Sequence, residues 1–178
     1  MPSFLNINLD VQKTCTGMVK RMKITNAMRM LTQAGIDFKA MEYEVEEDNL
    51  AGVHVAEKIG MPVEQVFKTL VAQGEKKGYL VFCIPVAEEL DLKKAANLIG
   101  DKKIELVPVK ELLGLTGYIR GGCSPIGMKK KFPTYVDETA ILFDEITVSA
   151  GIRGCQLLIP RKELIDYLQA NLCDLTVE

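Results

Sequence analysis

Val66-Phe67-Lys68-Thr69-Leu70-Val71-Ala72-Gln73 runs into Gly74-Glu75-Lys76-Lys77-Gly78 and out again through Tyr79-Leu80-Val81-Phe82-Cys83-Ile84. Two runs rich in β-branched, aromatic and other apolar residues, separated by a short polar loop with glycine at each end, predict a hairpin. Alternation places Val66, Lys68, Leu70 and Ala72 on one face of the first strand and Phe67, Thr69 and Val71 on the other. Lys68 thus stands among apolar neighbours. A lysine there either snorkels to the surface or holds its charge for a ligand.

Upstream, Thr25 is placed to cap a helix carrying Ala27, Met28, Leu31 and Ala34 on one side, with Gly35 at its end. Ile36 to Val45 alternates as a strand, irregular near Met41, and the acidic run Glu42, Glu44, Glu46, Glu47, Asp48 is expected as its solvated face and exit loop. Gly52 to Ile59 has helical spacing at Val53, Ala56 and Ile59, and Pro62 suits the first turn of another short helix. Downstream, Asp91 caps Leu92 to Ile99, Lys103 to Val107 is expected as a strand, and Pro108 to Leu113 as a helix ending before Gly114. Thr134 to Val136, Glu145 to Ser149 and Leu157 to Ile159 are expected strands, and Pro160 opens a closing helix with Leu164, Ile165, Leu168 and Leu172 facing inward. Hairpins interleaved with helices favour an α+β fold. A mixed sheet, with curling into a barrel as one option, is expected in place of a doubly wound parallel one.

A chain of 178 residues suits one domain with a substantial core. Met1 to Arg21 shows little periodicity, so residues 1–21 are expected as an N-terminal extension of uncertain order or a short strand, with a single domain over 22–178. Apolar residues at 48% and charged residues at 26% exclude a disordered chain. A net charge of −2 excludes a broad positive field, so any RNA contact must be local. Cys15, Cys83, Cys123, Cys155 and Cys173 are odd in number and form no C-x-x-C pair, which predicts free thiols in a reducing compartment and no zinc site. No apolar run approaches the roughly 20 residues of a membrane span, and the polar N-terminus is unlike a secretory signal. A cytoplasmic location is expected.

His54 is the single histidine, with no evident partner, which excludes multi-histidine metal sites. Neither a nucleophile elbow nor a P-loop is present. Gly117-Tyr118-Ile119-Arg120-Gly121-Gly122-Cys123-Ser124-Pro125-Ile126-Gly127 holds four glycines in eleven residues. Such a loop serves tight turns or brings its own N–H groups close to a ligand. Cys123 would need His54 or a strong local field to lower its thiol pKa, and is expected not to be catalytic. Lys129, Lys130 and Lys131 follow as a solvated face or a phosphate contact. Gly151 and Gly154 form a second glycine turn around Arg153.

Phe67-Lys68-Thr69-Leu70, Leu90-Asp91-Leu92-Lys93-Lys94, Thr116-Gly117-Tyr118, Gly121-Gly122-Cys123-Ser124-Pro125-Ile126-Gly127 and Val148-Ser149-Ala150-Gly151-Ile152-Arg153-Gly154 occur in one order and spacing. In this combination, from about Met22 to Ala170, the chain resembles the YbaK/EbsC family of free-standing aminoacyl-tRNA deacylases, related to the editing domain of bacterial prolyl-tRNA synthetase. The resemblance implies an α+β fold with a mixed, barrel-like sheet surrounded by helices, and trans-editing: removal of a wrongly attached amino acid, typically cysteine from proline tRNA, with no metal or organic cofactor. It implies that Lys68 positions the adenosine end or a phosphate of the tRNA, and that the Gly121 N–H faces the scissile carbonyl. Tyr43, Thr69, Gly122, Ser124, Ser149 and Gln156 are the implied substrate-binding residues. Lys129, Lys130, Lys131 and Arg153 are candidate tRNA contacts, the mischarged acceptor end the implied partner, and prolyl-tRNA synthetase a candidate one. No DNA or membrane partner is implied.

Gln156 stands where several cysteine-specific relatives carry aspartate. A neutral amide cannot act as a base or bind an amino group by charge, which keeps a small substrate such as alanine open. A noncatalytic tRNA- or synthetase-binding module is the reading from a different class, since phosphate contacts alone give binding without specificity.

Overall fold

β2 (Phe67–Gly74) and β3 (Gly78–Pro85) pair antiparallel in unbroken register, from Phe67 opposite Pro85 to Gly74 opposite Gly78. The structure is a computed structural model and describes residues 22–178; the expectation for residues 1–21 lies outside that range. Around the hairpin stand α1 (Asn26–Ala34), β1 (Lys39–Glu42), α2 (Gly52–Ile59), α3 (Leu92–Ile99), β4 (Ile104–Leu106), α4 (Val109–Thr116), β5 (Thr134–Asp137), β6 (Glu145–Ser149), β7 (Cys155–Pro160), α5 (Arg161–Leu168) and β8 (Asn171–Cys173). Single 3-10 turns, Val63–Gln65 and Glu138–Leu142, precede β2 and β6.

The α+β expectation holds, and the mixed sheet is built as two. One has the order β4-β2-β3-β5-β8 and the other β1-β7-β6. Pairing is antiparallel except along β3-β5-β8. The two sheets join where Val66 bridges Thr147 in the parallel sense. Between them lies the main core, where Phe67, Val71 and Val81 of one sheet meet Val148, Leu157 and Ile159 of the other, closed by α1 and α5. The opposite face of the hairpin buries Ala72, Leu80, Phe82 and Ile84 against Ala95 and Ala96 of α3. Period-two alternation with both faces apolar is what covering both sides of a strand requires.

Local rules explain most boundaries. Thr25 forms a capping box with Met28, and Asp91 accepts hydrogen bonds from Lys93 and Lys94 N–H, at 3.0 and 2.9 Å. Five details differ from expectation, the first being that the strand expected over Ile36 to Val45 keeps only Lys39–Glu42. Ala34 is exposed: the left-handed Gly35 ends α1 in a Schellman turn, the Ile36 N–H reaches the Leu31 carbonyl, and Ile36 packs on the core instead. On α2, Val55 is buried and Val53 faces out. Gly114 lies inside α4, which stops only at the left-handed Gly117; an internal glycine costs a helix only about 1 kcal/mol. Leu172 is not helical, because Gln169 takes the left-handed turn at φ 52° and the chain re-enters the large sheet as β8.

The described cysteines are free, and Cys83, Cys123 and Cys155 are buried. Burial pushes the Cys83 and Cys123 thiols up to about 12. At pH 8 such a thiol is ionised in only about one molecule in ten thousand, against roughly a quarter for an unperturbed one. Brief iodoacetamide treatment of the native protein at pH 8, read by peptide mass mapping, is expected to leave both unmodified. The rate should climb about tenfold per pH unit as thiolate forms; fast modification of native Cys123 at pH 8 would contradict this burial.

Gly52 gives a second expectation. A Cβ there would fall 2.5 Å from Val86 Cγ1. Gly52→Ala should therefore push α2 off Val86 at an overpacking cost of about 1–3 kcal/mol. At roughly 2–4 °C per kcal/mol for a chain of this size, that is a readable loss in Tm by calorimetry.

Candidate active site

Tyr43 and Gly121 share one cleft, lined also by Leu50 and by His54, Val55 and Lys58 of α2. Tyr43 leaves β1 with its N–H donated to the Gly154 carbonyl at 2.9 Å. The loop after it is held by charge. Lys58 Nζ lies 2.6 Å from Glu46 Oε1 and donates to the Glu44 carbonyl at 2.9 Å. His54 Nε2 lies 2.9 Å from Glu46 Oε2, and its Nδ1 3.6 Å from Glu57. Hydrogen bonds from Lys58 and His54 hold the Glu46 carboxyl below the usual carboxylate range. His54 thus has partners, and the acidic run is a strap across α2 as well as a solvated face. Residue spacing could not show this, because the partners lie 8 and 12 positions away in sequence.

Beside the cleft the two glycine-rich loops meet main chain to main chain. A Cβ on Gly122 would lie 3.0 Å from the Arg153 nitrogen and from the Ile152 carbonyl carbon. Gly121 has φ +84°, and a Cβ there would meet Arg153 Nε at 3.3 Å. The Gly122 N–H is spent in a turn to the Ile119 carbonyl at 3.0 Å. Among the described residues no carbonyl accepts the Gly121 N–H. Ser124 is buried and its Oγ accepts from Ile126 N–H at 3.2 Å, so it braces the loop. The Tyr118 hydroxyl donates to the Ile126 carbonyl while its ring lies against Gly151.

Lys68 is half-buried on β2, and its Nζ donates to the Val86 carbonyl at 3.3 Å. Burial pushes its pKa below the ordinary lysine value, while Glu89 and Glu88 pull the other way. It does not line the Tyr43–Gly121 cleft. The start of α2 links the two, since Gly52 packs on Val86 and Leu50 abuts Gly121. That helix start has no side-chain cap, which leaves its first N–H groups without a side-chain acceptor. Thr69 points to the other face of β2, with Oγ1 3.8 Å from Cys83 Sγ.

Ser149 and Gln156 are directly paired across β6 and β7, with Met41 of β1 next in the row. They face away from the main core, as does Thr147. Ser149 Oγ accepts from Gly151 N–H at 3.2 Å. Gln156 is only 7% exposed, and its Oε1 is buried without a hydrogen-bond partner among the described residues, like Thr147 Oγ1. From the Val66–Thr147 bridge, Lys68 and Ser149 each lie two residues on along their strands. Thr147 was the residue that sequence reasoning passed over; alternation on β6 with Ser149 is the signal that places it. Arg153 donates from Nε to the Arg120 carbonyl at 2.9 Å and from Nη1 to Glu47 at 2.8 Å. Lys129 Nζ donates to the Gly114 carbonyl at 3.3 Å, Lys131 to the Gln169 side chain, and Lys130 is exposed. No group of three or more potential metal ligands converges among the described residues, and no described helix is long and apolar enough to cross a membrane.

A family model described as "Aminoacyl-tRNA editing domain" matches residues 51–167. An Enterococcus faecalis protein named "Putative Cys-tRNA(Pro)/Cys-tRNA(Cys) deacylase EbsC" is 45% identical over 159 residues, 89% of this chain and 97% of that protein. A proline–tRNA ligase of Fervidobacterium nodosum is 28% identical over 93 residues, 52% of this chain and 16% of the ligase. Among solved structures, "a putative trans-editing enzyme for prolyl tRNA synthetase" superposes with a TM-score of 0.75 at 29% identity, covering 85% of this chain and 97% of that one. By sequence and by fold the chain belongs to the aminoacyl-tRNA editing domain family, within its YbaK/EbsC group.

Proposed function

We propose that the protein is a trans-editing deacylase that clears cysteine from mischarged proline tRNA. The observation that carries this reading is that Gly121, whose N–H meets no acceptor, borders a cleft that holds no activated nucleophile among the described residues. Cys123 is buried with its thiol raised to about 12, and His54 is engaged by Glu46 and Glu57. In the proposed reaction the substrate's own thiol sulfur attacks its carbonyl carbon and the ester bond to the ribose oxygen breaks. That oxygen takes up the proton given up by the thiol, and the resulting thiolactone opens in water. The Gly121 N–H stabilises the developing oxyanion, a type of contact typically worth about 3–4 kcal/mol. Holding thiol and carbonyl together adds several more.

Lys68 and the uncapped start of α2 hold the terminal adenosine or its phosphate. Tyr43 borders the cleft, Ser149 and Gln156 shape the aminoacyl pocket on the sheet face that carries Lys68, and Gly122 and Ser124 brace the Gly121 loop; Thr69, turned to the core face of β2, supports the strand from behind and does not line the pocket. Lys129, Lys130 and Lys131 contact the acceptor stem, and prolyl-tRNA synthetase is the proposed partner. The neutral Gln156, whose Oε1 has no hydrogen-bond partner among the described residues, favours a second reading, in which the pocket takes another small amino acid such as alanine. A module that binds tRNA without turnover remains the reading from the other class.

The decisive test offers wild-type protein Cys-tRNA(Pro), S-methylcysteinyl-tRNA(Pro) and Ala-tRNA(Pro). Loss of cysteine alone is expected. Equal clearance of the S-methyl ester would overturn thiol attack, clearance of alanine in place of cysteine would establish the second reading, and binding with no turnover would establish the third. Lys68→Met is expected to lower kcat/KM roughly 10- to 100-fold, the scale of one charge-assisted hydrogen bond. Because burial penalises the ammonium, Tm should hold or rise. A fall in both would make Lys68 structural.

A further inference from the structure

We infer that Arg153 is a positioning residue that aims the oxyanion donor, and not a tRNA contact. This rests on the assignment of the Gly121 N–H as that donor. The argument lies in one peptide group. Arg153 Nε donates at 2.9 Å to the Arg120 carbonyl, which belongs to the same peptide as the Gly121 N–H. No cis peptide occurs among the described residues, and in a trans peptide the C=O and N–H point in opposite directions. A donor fixed on Arg120 O therefore fixes the direction of the Gly121 N–H. It also draws electron density toward the oxygen, making that N–H a stronger donor.

Three further contacts turn the bond into a clamp. Arg153 Nη1 lies 2.8 Å from Glu47 Oε2, which anchors the far side of the guanidinium. Arg153 N lies 3.0 Å from where a Gly122 Cβ would be, so the base of the side chain is held by the opposing loop. Arg153 Nε and Cγ lie 3.3 and 3.5 Å from the corresponding point on Gly121, so the side chain runs across the glycine it orients. Nε and Nη1 are committed to the carbonyl and the carboxylate, and the Glu47 charge beside the guanidinium opposes the approach of an RNA phosphate. Glu47, from the acidic strap, thereby enters the catalytic geometry at one remove.

Arg153→Ala is expected to lower kcat roughly 10- to 100-fold, part or most of what loss of one oxyanion donor costs. KM for the aminoacyl-tRNA should stay within about twofold, since the residue acts through the transition state alone. Millimolar guanidinium ion should restore a measurable part of kcat, which a merely structural defect would not allow. Glu47→Gln should give a smaller loss. Should Arg153→Ala fail to fold, Arg153→Lys, which can reach one acceptor but not both, takes its place. An unchanged kcat overturns the proposal. So does a raised KM with a salt dependence of binding shallower by about one phosphate contact, the signature of a tRNA contact. The amide spectrum tests the clamp without activity. Loss of the bond to Arg120 O should shift the Gly121 amide nitrogen upfield in Arg153→Ala, and weakening of the Nη1 anchor should shift it less in Glu47→Gln, with the distant Gly35 and Gly100 unmoved. A stationary Gly121 resonance sinks the clamp. A shifted one in a protein that clears no aminoacyl-tRNA upholds the clamp and sinks the deacylase reading.

Discussion

The site depends on two loops approaching each other without side chains between them. Gly122 is excluded from carrying a Cβ by the Ile152–Arg153 main chain at 3.0–3.2 Å. Gly151, at φ +92°, is excluded by the ring of Tyr118. Each loop is therefore the packing surface of the other. Tyr118 closes the arrangement, with its ring on one loop and its hydroxyl on the Ile126 carbonyl of its own. Its burial, which pushes the phenol up to about 12, keeps that hydroxyl a neutral donor. Glycine content here is a requirement of contact between backbones as much as of turning.

Charge plays a different part. The ion pairs of Glu46 with Lys58 and of Glu47 with Arg153 each have one well-exposed partner, and exposed pairs add little to stability. Their effect is directional. They hold the Tyr43–Leu50 loop against α2 and the second glycine turn, so that Tyr43 and Leu50 face Gly121 across the cleft. Strap and glycine loops belong to one assembly, yet only the glycines announce themselves in sequence. An acidic run reads as solvated until the fold reveals which of its members have cations opposite them.

What could be read from the chain followed from how local each cause was. The β2–β3 hairpin, the caps at Thr25 and Asp91, and the glycine stop at Gly35 depend on neighbours within a few residues, and all were legible. β8 was not, because its stop signal is a left-handed Gln169 and its partner β5 lies 36 residues back. Lys68 was legible as an anomaly, a lysine at an apolar register. That it meets the start of α2 through Val86 was not, since that contact depends on three separate segments. Gln156 was noted for its chemistry. That its Oε1 has no partner among the described residues could be known only after the three-stranded sheet had placed it beside Ser149 and Met41.

A site without a resident nucleophile changes where selectivity must arise. On the proposed mechanism the amino acid supplies the attacking atom, so a bound residue without a thiol sits in the same field and does not react. Binding then need not discriminate finely between cysteine and a side chain of similar size, a difference worth only about 1–3 kcal/mol in an apolar pocket. The burden shifts to geometry: the carbonyl oxygen must meet the Gly121 N–H while the thiol lies in line with the carbonyl carbon. This explains why the loop is braced so heavily, by Ser124 beneath it, Tyr118 across it and Arg153 over it. It also explains why the protein's own thiols nearby are kept protonated. An ionised Cys123 in that loop would offer the activated ester a second nucleophile, and burial denies it that role.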